Sequence, residues 1–325
     1  MLPGTLANQF EPSQIQIQLA PLAQRAGAEL ILDEVLGLDA PRRSLLFANR
    51  EPLQFDALSI GVGSMPAGWK NFDSPALVPI KPMQTFLERL DRRLEECGPS
   101  PCCTIVGGGV AGVEIALCLQ ARLAASATRR TASVALVTGG DEIASGMSSR
   151  SQLKLSRLLA QRAIEVVKNF RVTKVGDSSI EDAQGNGRRA DVVIWATGAA
   201  PPTLLAKLGL PTDERGFLAT TTFLQTTAGD SIFAVGDTGT IESNPAPKAG
   251  VFAVRQAPVL WHNLQATLDS SRPMKPFIPQ RDFLKILNTG QGKALLEYSG
   301  WTFHSRWCWW LKRSIDKAFI RQYQV

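Results

Sequence analysis

Gly107, Gly109 and Gly112 stand in GxGxxG spacing within CTIVGGGVAGVEIALCL (103–119), between an apolar run and a helix-forming one. That spacing suits pyrophosphate chemistry. The first glycine permits a tight turn, the second lets the backbone approach a phosphate, and the third lets the helix pack close on the strand. The helix N-terminus that follows offers N–H groups and the positive end of its dipole to an anion. The competing reading is a glycine-rich connection with no ligand, and a lone GxGxxG does not separate the two. Such a site usually carries an acid at the end of the second strand, where it holds the ribose hydroxyls of NAD. Here SVALV (133–137) runs into Thr138, Gly139, Gly140 and Asp141, and no arginine stands beside them to meet a 2′-phosphate. The choice between NADH and NADPH is open at this position.

Other reactive residue types are sparse. The five cysteines (Cys97, Cys102, Cys103, Cys118 and Cys308) form no CxxC and no paired metal-type spacing, and only His262 and His304 could join them. No metal site is expected. Cys102, Cys103 and Cys118 lie in apolar runs and read as small core residues. Cys97 and Cys308 are open cases, with no neighbouring base to activate them. The lack of a CxxC weighs against disulfide reduction, and Cys308 alone does not meet the need of sulfide oxidation for separated reactive thiols.

The elements that must position these residues follow from pattern. Short apolar runs at 28–39, 43–49 and 55–64 read as strands of a mixed or antiparallel layer. A helix is expected over 82–97, with Phe86, Leu87, Leu90 and Leu94 on one face, broken by GPSP. Strand 103–107, helix 110–126, strand 132–138, helix 149–162 and strand 163–169 then alternate, with shorter strands leading to 190–198. Strands alternating with helices mean a parallel, doubly wound α/β sheet. A strand at 231–237, a helix from about 248 to 268, a strand in ALLEYSG and a basic aromatic helix at the end complete the chain.

With 44% hydrophobic residues in 325, the chain can bury ordinary cores, which excludes fibrous and disordered classes. A net charge of +6, from 35 basic and 29 acidic residues, is too modest to argue for nucleic acid as a partner. MLPGTLANQFEP has no basic segment followed by an apolar run, and no stretch of about 18 apolar residues occurs, so the expected location is the cytoplasm.

Three further stretches share one pattern. SIGVGSMP (59–66) and IWATGAAPP (194–202) are apolar strands ending in small-residue turns, and SIFAVGDTG (231–239) ends on Gly-Asp. The order GVGS, GGGVAGVE, ATGAAPP, AVGD resembles the two-dinucleotide-binding-domain flavoproteins of the pyridine nucleotide-disulfide oxidoreductase superfamily. Within it, the chain is most similar to the type II NADH dehydrogenase-like branch, including the flavoprotein module fused to selenide, water dikinase. That narrower likeness rests on MLPG, PKAGVFAVRQAPVLWHNL (247–264) and the RWCWWLKRSIDKAFIRQ tail.

The resemblance implies an FAD-dependent NAD(P)H dehydrogenase in which hydride passes from the nicotinamide to the flavin and on to a quinone or other small acceptor. It implies two Rossmann-like, three-layer nucleotide-binding domains plus a small α+β C-terminal segment. The bounds expected are 1–80 for a partial FAD-binding domain, 81–199 for the NAD(P)-binding domain, 200–268 for the return to the FAD-binding domain and 269–325 for an interface or membrane-surface segment. Gly63, Gly198 and Gly236 would let backbone approach the cofactors, and Asp237 would hold the flavin's ribityl or phosphate region, unless it is a plain turn aspartate. Lys248 and Ala249 would open a helix whose N-terminus faces the flavin ring, although Lys248 reads equally as a solvated first-turn lysine. Glu114 resembles an acid found near the nicotinamide and reads equally as a first-turn carboxylate favoured by the helix dipole.

Family members open with a GxGxxG strand–turn–helix for the ADP half of FAD, and none precedes Gly107 here. The expectation is that the first domain lacks its N-terminal βαβ unit, through a late start or a truncated product. The other reading is a flavin-free nucleotide-binding or regulatory module associated with selenophosphate synthesis. In the tail, Trp307, Leu311, Ile315 and Phe319 fall on one helical face, with Arg306, Lys312, Arg313, Lys317 and Arg321 mostly around the other. This fits a membrane surface, as in type II NADH dehydrogenases, and equally a cap on the core or a homodimer contact.

Overall fold

A computed structural model describes residues 1–324 apart from 129, 130, 230, 270 and 281. The chain forms two compact units: Met1–Leu30, Gly68–Gly198 and Asp282–Val325 make the first, Ile31–Ala67 and Ala199–Arg281 the second.

The first unit is built on a five-stranded parallel sheet of β1 (Leu77–Pro79), β2 (Cys102–Val106), β3 (Ser133–Val137), β4 (Glu165–Val167) and β5 (Val192–Trp195), in the spatial order β1-β5-β2-β3-β4. The connections carry α1 (Phe86–Glu96), α2 (Val110–Ala125) and α3 (Ser149–Gln161). All three step the same way across the sheet, and a right-handed crossover then puts every helix on one face. Phe86, Leu90 and Leu94 of α1, most of α2, and Leu155 and Leu159 of α3 share one core with Cys103, Ile105, Leu136 and Ile194. The spacing of Phe86, Leu90 and Leu94 that predicts α1 is the face that is fully buried. Truncating any of them to alanine costs about 2–5 kcal/mol.

Return from β4 to β5 runs the opposite way and covers the other face. The third layer there is a three-stranded antiparallel sheet (Val172–Val175, Ser179–Asp182, Gly187–Arg189), whose Val172, Val175 and Ile180 pack with Val106, Val137, Val193 and Trp195. The three layers expected are present, with strands in place of helices in the last one.

The first thirty residues belong to this unit. Leu6, in the short helix Leu2–Leu6, is buried in the same core as α2. Residues 1–80, expected together in one domain, are thus divided between the units. Strands Lys285–Asn288, Ala294–Tyr298 and Trp301–Ser305 form an antiparallel sheet on which the last helix, α5 (Arg306–Arg321), packs.

In the second unit, Val35–Asp39, Ser44–Phe47 and Leu53–Gln54 form an antiparallel sheet; the first two fall within the apolar runs 28–39 and 43–49, and the third lies just before the run 55–64. Leu58–Ile60 does not join it, pairing in parallel with Ile232–Ala234. Ile60, Phe217, Leu218 and Ile232 centre this unit's core. Its long helix, α4, spans Gly250–Leu268.

Candidate functional site

At the carboxyl end of the first unit's sheet, β2 and β5 are neighbours whose ends part: β2 leads through α2 to β3, and β5 leads into the second unit. The glycine turn sits there. Gly107 has φ +131°, and a Cβ on it would lie 2.3 Å from the Ala196 carbonyl oxygen. A Cβ on Gly112 would lie 1.8 Å from the Gly107 oxygen, so α2 reaches the turn only without a side chain. Gly109 differs: a Cβ there would meet nothing within 4 Å. The chain itself requires Gly107 and Gly112, whereas only something arriving from outside would require Gly109. Gly108, which the motif leaves unspecified, is held to glycine by Thr138, whose Cβ and Oγ1 would both be 2.5 Å from a Cβ. Gly198, just past β5, is likewise open, with no atom within 4 Å of its Cβ position.

Thr138 is buried, and its Oγ1 accepts the Gly140 N–H at 3.3 Å. The stretch after β4 runs beside it, Asn169 N–H donating to Gly140 O at 2.9 Å and Phe170 N–H to Thr138 O at 3.0 Å. That stretch brings Arg171 over Gly139, where a Cβ would lie 3.5 Å from Arg171 Cβ and 3.7 Å from its Nε. An arginine absent from the sequence neighbourhood of Thr138 is therefore present in space, supplied by the stretch that follows β4.

Glu114 is the fifth residue of α2, and no acid occupies that helix's first turn, which removes the first-turn reading. Its Oε1 accepts the Asn288 N–H at 2.7 Å. Burial raises its pKa, with the Lys312 charge and the Asn288 hydrogen bond opposing the shift.

In the second unit, the parallel strands Leu58–Ile60 and Ile232–Ala234 deliver the GVGS and AVGD turns side by side. Ser64 Oγ donates to Asp237 Oδ2 at 2.6 Å, and the Gly63 N–H donates to Thr238 Oγ1 at 2.8 Å. Gly63 and Gly236 both have positive φ, +71° and +62°, and the Gly236 N–H donates to Gln256 Oε1 at 2.6 Å. Gln256, buried on α4, was invisible to motif reading because nothing marks a helix glutamine as a backbone partner. Ala249 is the N-cap of α4.

Lys248 is half-buried, which removes the solvated reading. Its Nζ donates to Gly239 O at 2.7 Å and Thr240 Oγ1 at 2.8 Å, and lies 4.1 Å from the centre of the Phe217 ring. Burial lowers its pKa to about 8, against the pull of Asp213 and Asp237.

Cys118 and Cys308 are buried, as is Cys103. Cys97 and Cys102 bracket the GPSP turn in CxxxxC spacing, but at the opposite end of β2 from the glycine turn. Among the described residues no group of His, Cys, Asp and Glu could hold a metal ion.

A profile of the pyridine nucleotide-disulphide oxidoreductases matches residues 6–263. The NADH dehydrogenase-like protein YutJ of Bacillus subtilis is 22% identical over 220 residues, covering 66% of this chain and 58% of that protein. The type II NADH:quinone oxidoreductase of Haemophilus influenzae is 28% identical over 188 residues, covering 53% of this chain and 41% of that protein. The chain thus spans about half the length of these curated relatives. Among solved structures, the sulfide:quinone oxidoreductase of Aquifex aeolicus superposes with a TM-score of 0.81 at 18% identity, covering 99% of this chain and 81% of that one. Plasmodium falciparum NDH2 in complex with NADH gives 0.82 at 13% identity, covering 98% and 88%. These structures share the fold.

Proposed function

The chain belongs to the pyridine nucleotide-disulphide oxidoreductase family, and we propose that it is an FAD-dependent NAD(P)H oxidoreductase delivering electrons to a quinone or other small acceptor. The observation that carries the proposal is Gly109, an open glycine in a strand-to-helix turn whose other glycines the chain itself requires. The relatives named as NADH dehydrogenases support the direction of hydride flow.

The residues present fit the nicotinamide dinucleotide and the flavin half of FAD, while no GxGxxG for the ADP half of FAD stands before Gly107. In the first unit, Gly107, Gly109 and Gly112 with the α2 N-terminus would hold the nicotinamide dinucleotide's pyrophosphate, with Thr138 at its ribose edge and Gly198 admitting backbone approach. In the second, Gly63, Gly236 and Asp237 form a cross-linked cradle at the ends of two parallel strands that would hold the flavin side. FAD, when bound, supplies the hydride acceptor and passes the electrons on. The α4 N-terminus at Ala249 contributes N–H groups and dipole to anionic charge. Lys248 fixes the segment after Asp237 through Gly239 and Thr240. Glu114 is a carboxyl held by the Asn288 N–H, and burial raises its pKa.

Exposed Trp301, Trp307 and Trp310 on the C-terminal segment support contact of that face with a membrane surface from the cytoplasm, with pairing of two copies as the competing arrangement. No helix among the described residues is long and apolar enough to cross a membrane.

The likeness to the module fused to selenide, water dikinase belongs to the proposal and sets the alternative, a nucleotide-binding module without flavin. The visible spectrum of the purified protein separates the two. The proposal expects a flavin spectrum that is bleached by NADH or NADPH and recovers on adding a quinone. A colourless protein that still binds a nicotinamide dinucleotide would establish the module and end the oxidoreductase reading.

A further inference from the structure

We infer that Arg171 is a specificity-determining residue that makes the first unit's site prefer NADPH over NADH. The inference rests on the proposal that the glycine turn holds a nicotinamide dinucleotide, and adds which one.

In this class of fold, the adenosine ribose lies over the end of the strand after the glycine turn, and the residue there decides the cofactor. A carboxylate would accept both ribose hydroxyls and repel a 2′-phosphate; an arginine close by would attract it. Here that end carries Thr138, uncharged, buried and engaged with Gly140 and Gly108. Gly139 and Gly140 follow and leave the rim without side chains. A Cβ on Gly140 would meet nothing within 4 Å. Across this bare rim lies Arg171, with its Nε 3.7 Å from where a Gly139 Cβ would stand.

The placement is fixed by backbone. Two hydrogen bonds, Asn169 N–H to Gly140 O and Phe170 N–H to Thr138 O, tie the residues just before Arg171 to the rim itself. Among the described residues no carboxylate or hydrogen-bond acceptor engages its guanidinium. It is exposed, so it is free to form the charge-assisted, forked hydrogen bonds that a phosphate monoester accepts. The nearest acids in sequence, Asp141 and Glu142, follow the glycine pair; Glu142 Oε2 receives the Gln152 side-chain amide at 3.4 Å.

The test is equilibrium binding, independent of turnover. The full chain and its R171A and R171K variants are titrated with NADPH and with NADH by calorimetry, and 2′-AMP and 5′-AMP are compared as competitors. The expected result is NADPH bound at least about tenfold tighter than NADH, and 2′-AMP competing better than 5′-AMP. R171A should lower NADPH affinity about tenfold while leaving NADH within about twofold, and R171K should recover part of the loss. Equal or tighter NADH binding by the unsubstituted chain overturns the inference alone. So does an R171A variant that weakens both dinucleotides equally, which is what a structural role would give. If neither dinucleotide binds, the inference and the reading of the glycine turn fall together.

Discussion

A glycine motif mixes residues the polypeptide needs with residues the ligand needs, and here geometry separates them. Gly112→Ala drives a methyl to 1.8 Å from a backbone oxygen that cannot swing away, so α2 must shift from the turn. That variant should lose about 2–4 kcal/mol of stability, and dinucleotide binding with it. Gly109→Ala puts its methyl into open space at an ordinary φ of −67°. It should fold with a melting temperature close to the parent's and lose at least about tenfold in dinucleotide affinity, because the methyl occupies ground the pyrophosphate must approach. Thermal melts paired with NADPH titration check both variants; a Gly109→Ala protein that binds normally would remove Gly109 from the site. The three motif glycines were legible because their spacing is local. Arg171, Ser64 and Gln256 were not, since each stands beside a residue brought in by a different part of the chain, and local sequence records nothing of that neighbour.

At the scale of elements, α5 shows what periodicity leaves open. The apolar set Trp307, Leu311, Ile315 and Phe319 reads equally as a membrane-facing or pairing face and as a cap on the core, and Trp307 and Ile315 are exposed. The stripe turned inward is Cys308, Lys312, Asp316 and Ile320, with Lys312 and Asp316 paired at 3.5 Å. A half-buried ion pair hides from a hydrophobicity pattern because the pattern counts charged residues as surface.

The same segment titrates in acid. His304 is held neutral: burial, then the charges of Lys293, Lys154 and Arg162, lower its pKa to about 4. Since the unfolded pKa is about 6.5, the unfolded chain binds the proton first, and stability falls as pH drops from about 6.5 to 4. Burial would raise Glu297, but hydrogen bonds from Ser148 and Ser151 and then Lys285 outweigh it and set a pKa of about 2. Its contribution is complete above about pH 4.5 and lost as pH falls toward 2. His304→Gln should flatten the denaturant-derived stability profile in the upper window only. Glu297→Gln should cost about 1–3 kcal/mol at pH 7, with the gap to the parent closing toward pH 2. Profiles that change in the opposite windows would refute these assignments.

Over the whole molecule, the alternation of strands and helices from Cys102 onward made the parallel sheet legible, and four turn motifs in order made the family legible. The unit boundaries were harder to read, because the chain passes between the units at 30/31, 67/68, 198/199 and 281/282, and no change of composition marks those points. Membership is decided by burial: Leu6 enters a core with α2 and β2, whereas Ile60 enters one with Phe217 and Ile232. Each unit having its own core, calorimetry should resolve two unfolding transitions. Under the proposed reading a nicotinamide dinucleotide engages the first unit's turn, so at a hundredfold excess over its dissociation constant it should add about 2.7 kcal/mol to that unit alone. For a unit of this size that raises one transition by roughly 5–10 °C and leaves the other in place. Hydrogen exchange identifies which transition moved, since added protection should fall within 103–117 and 136–147 and spare 58–64 and 232–238. A single transition that shifts as a whole, or protection shared by both segments of the second unit, would show that the two cores melt together and that the division holds for packing but not for stability.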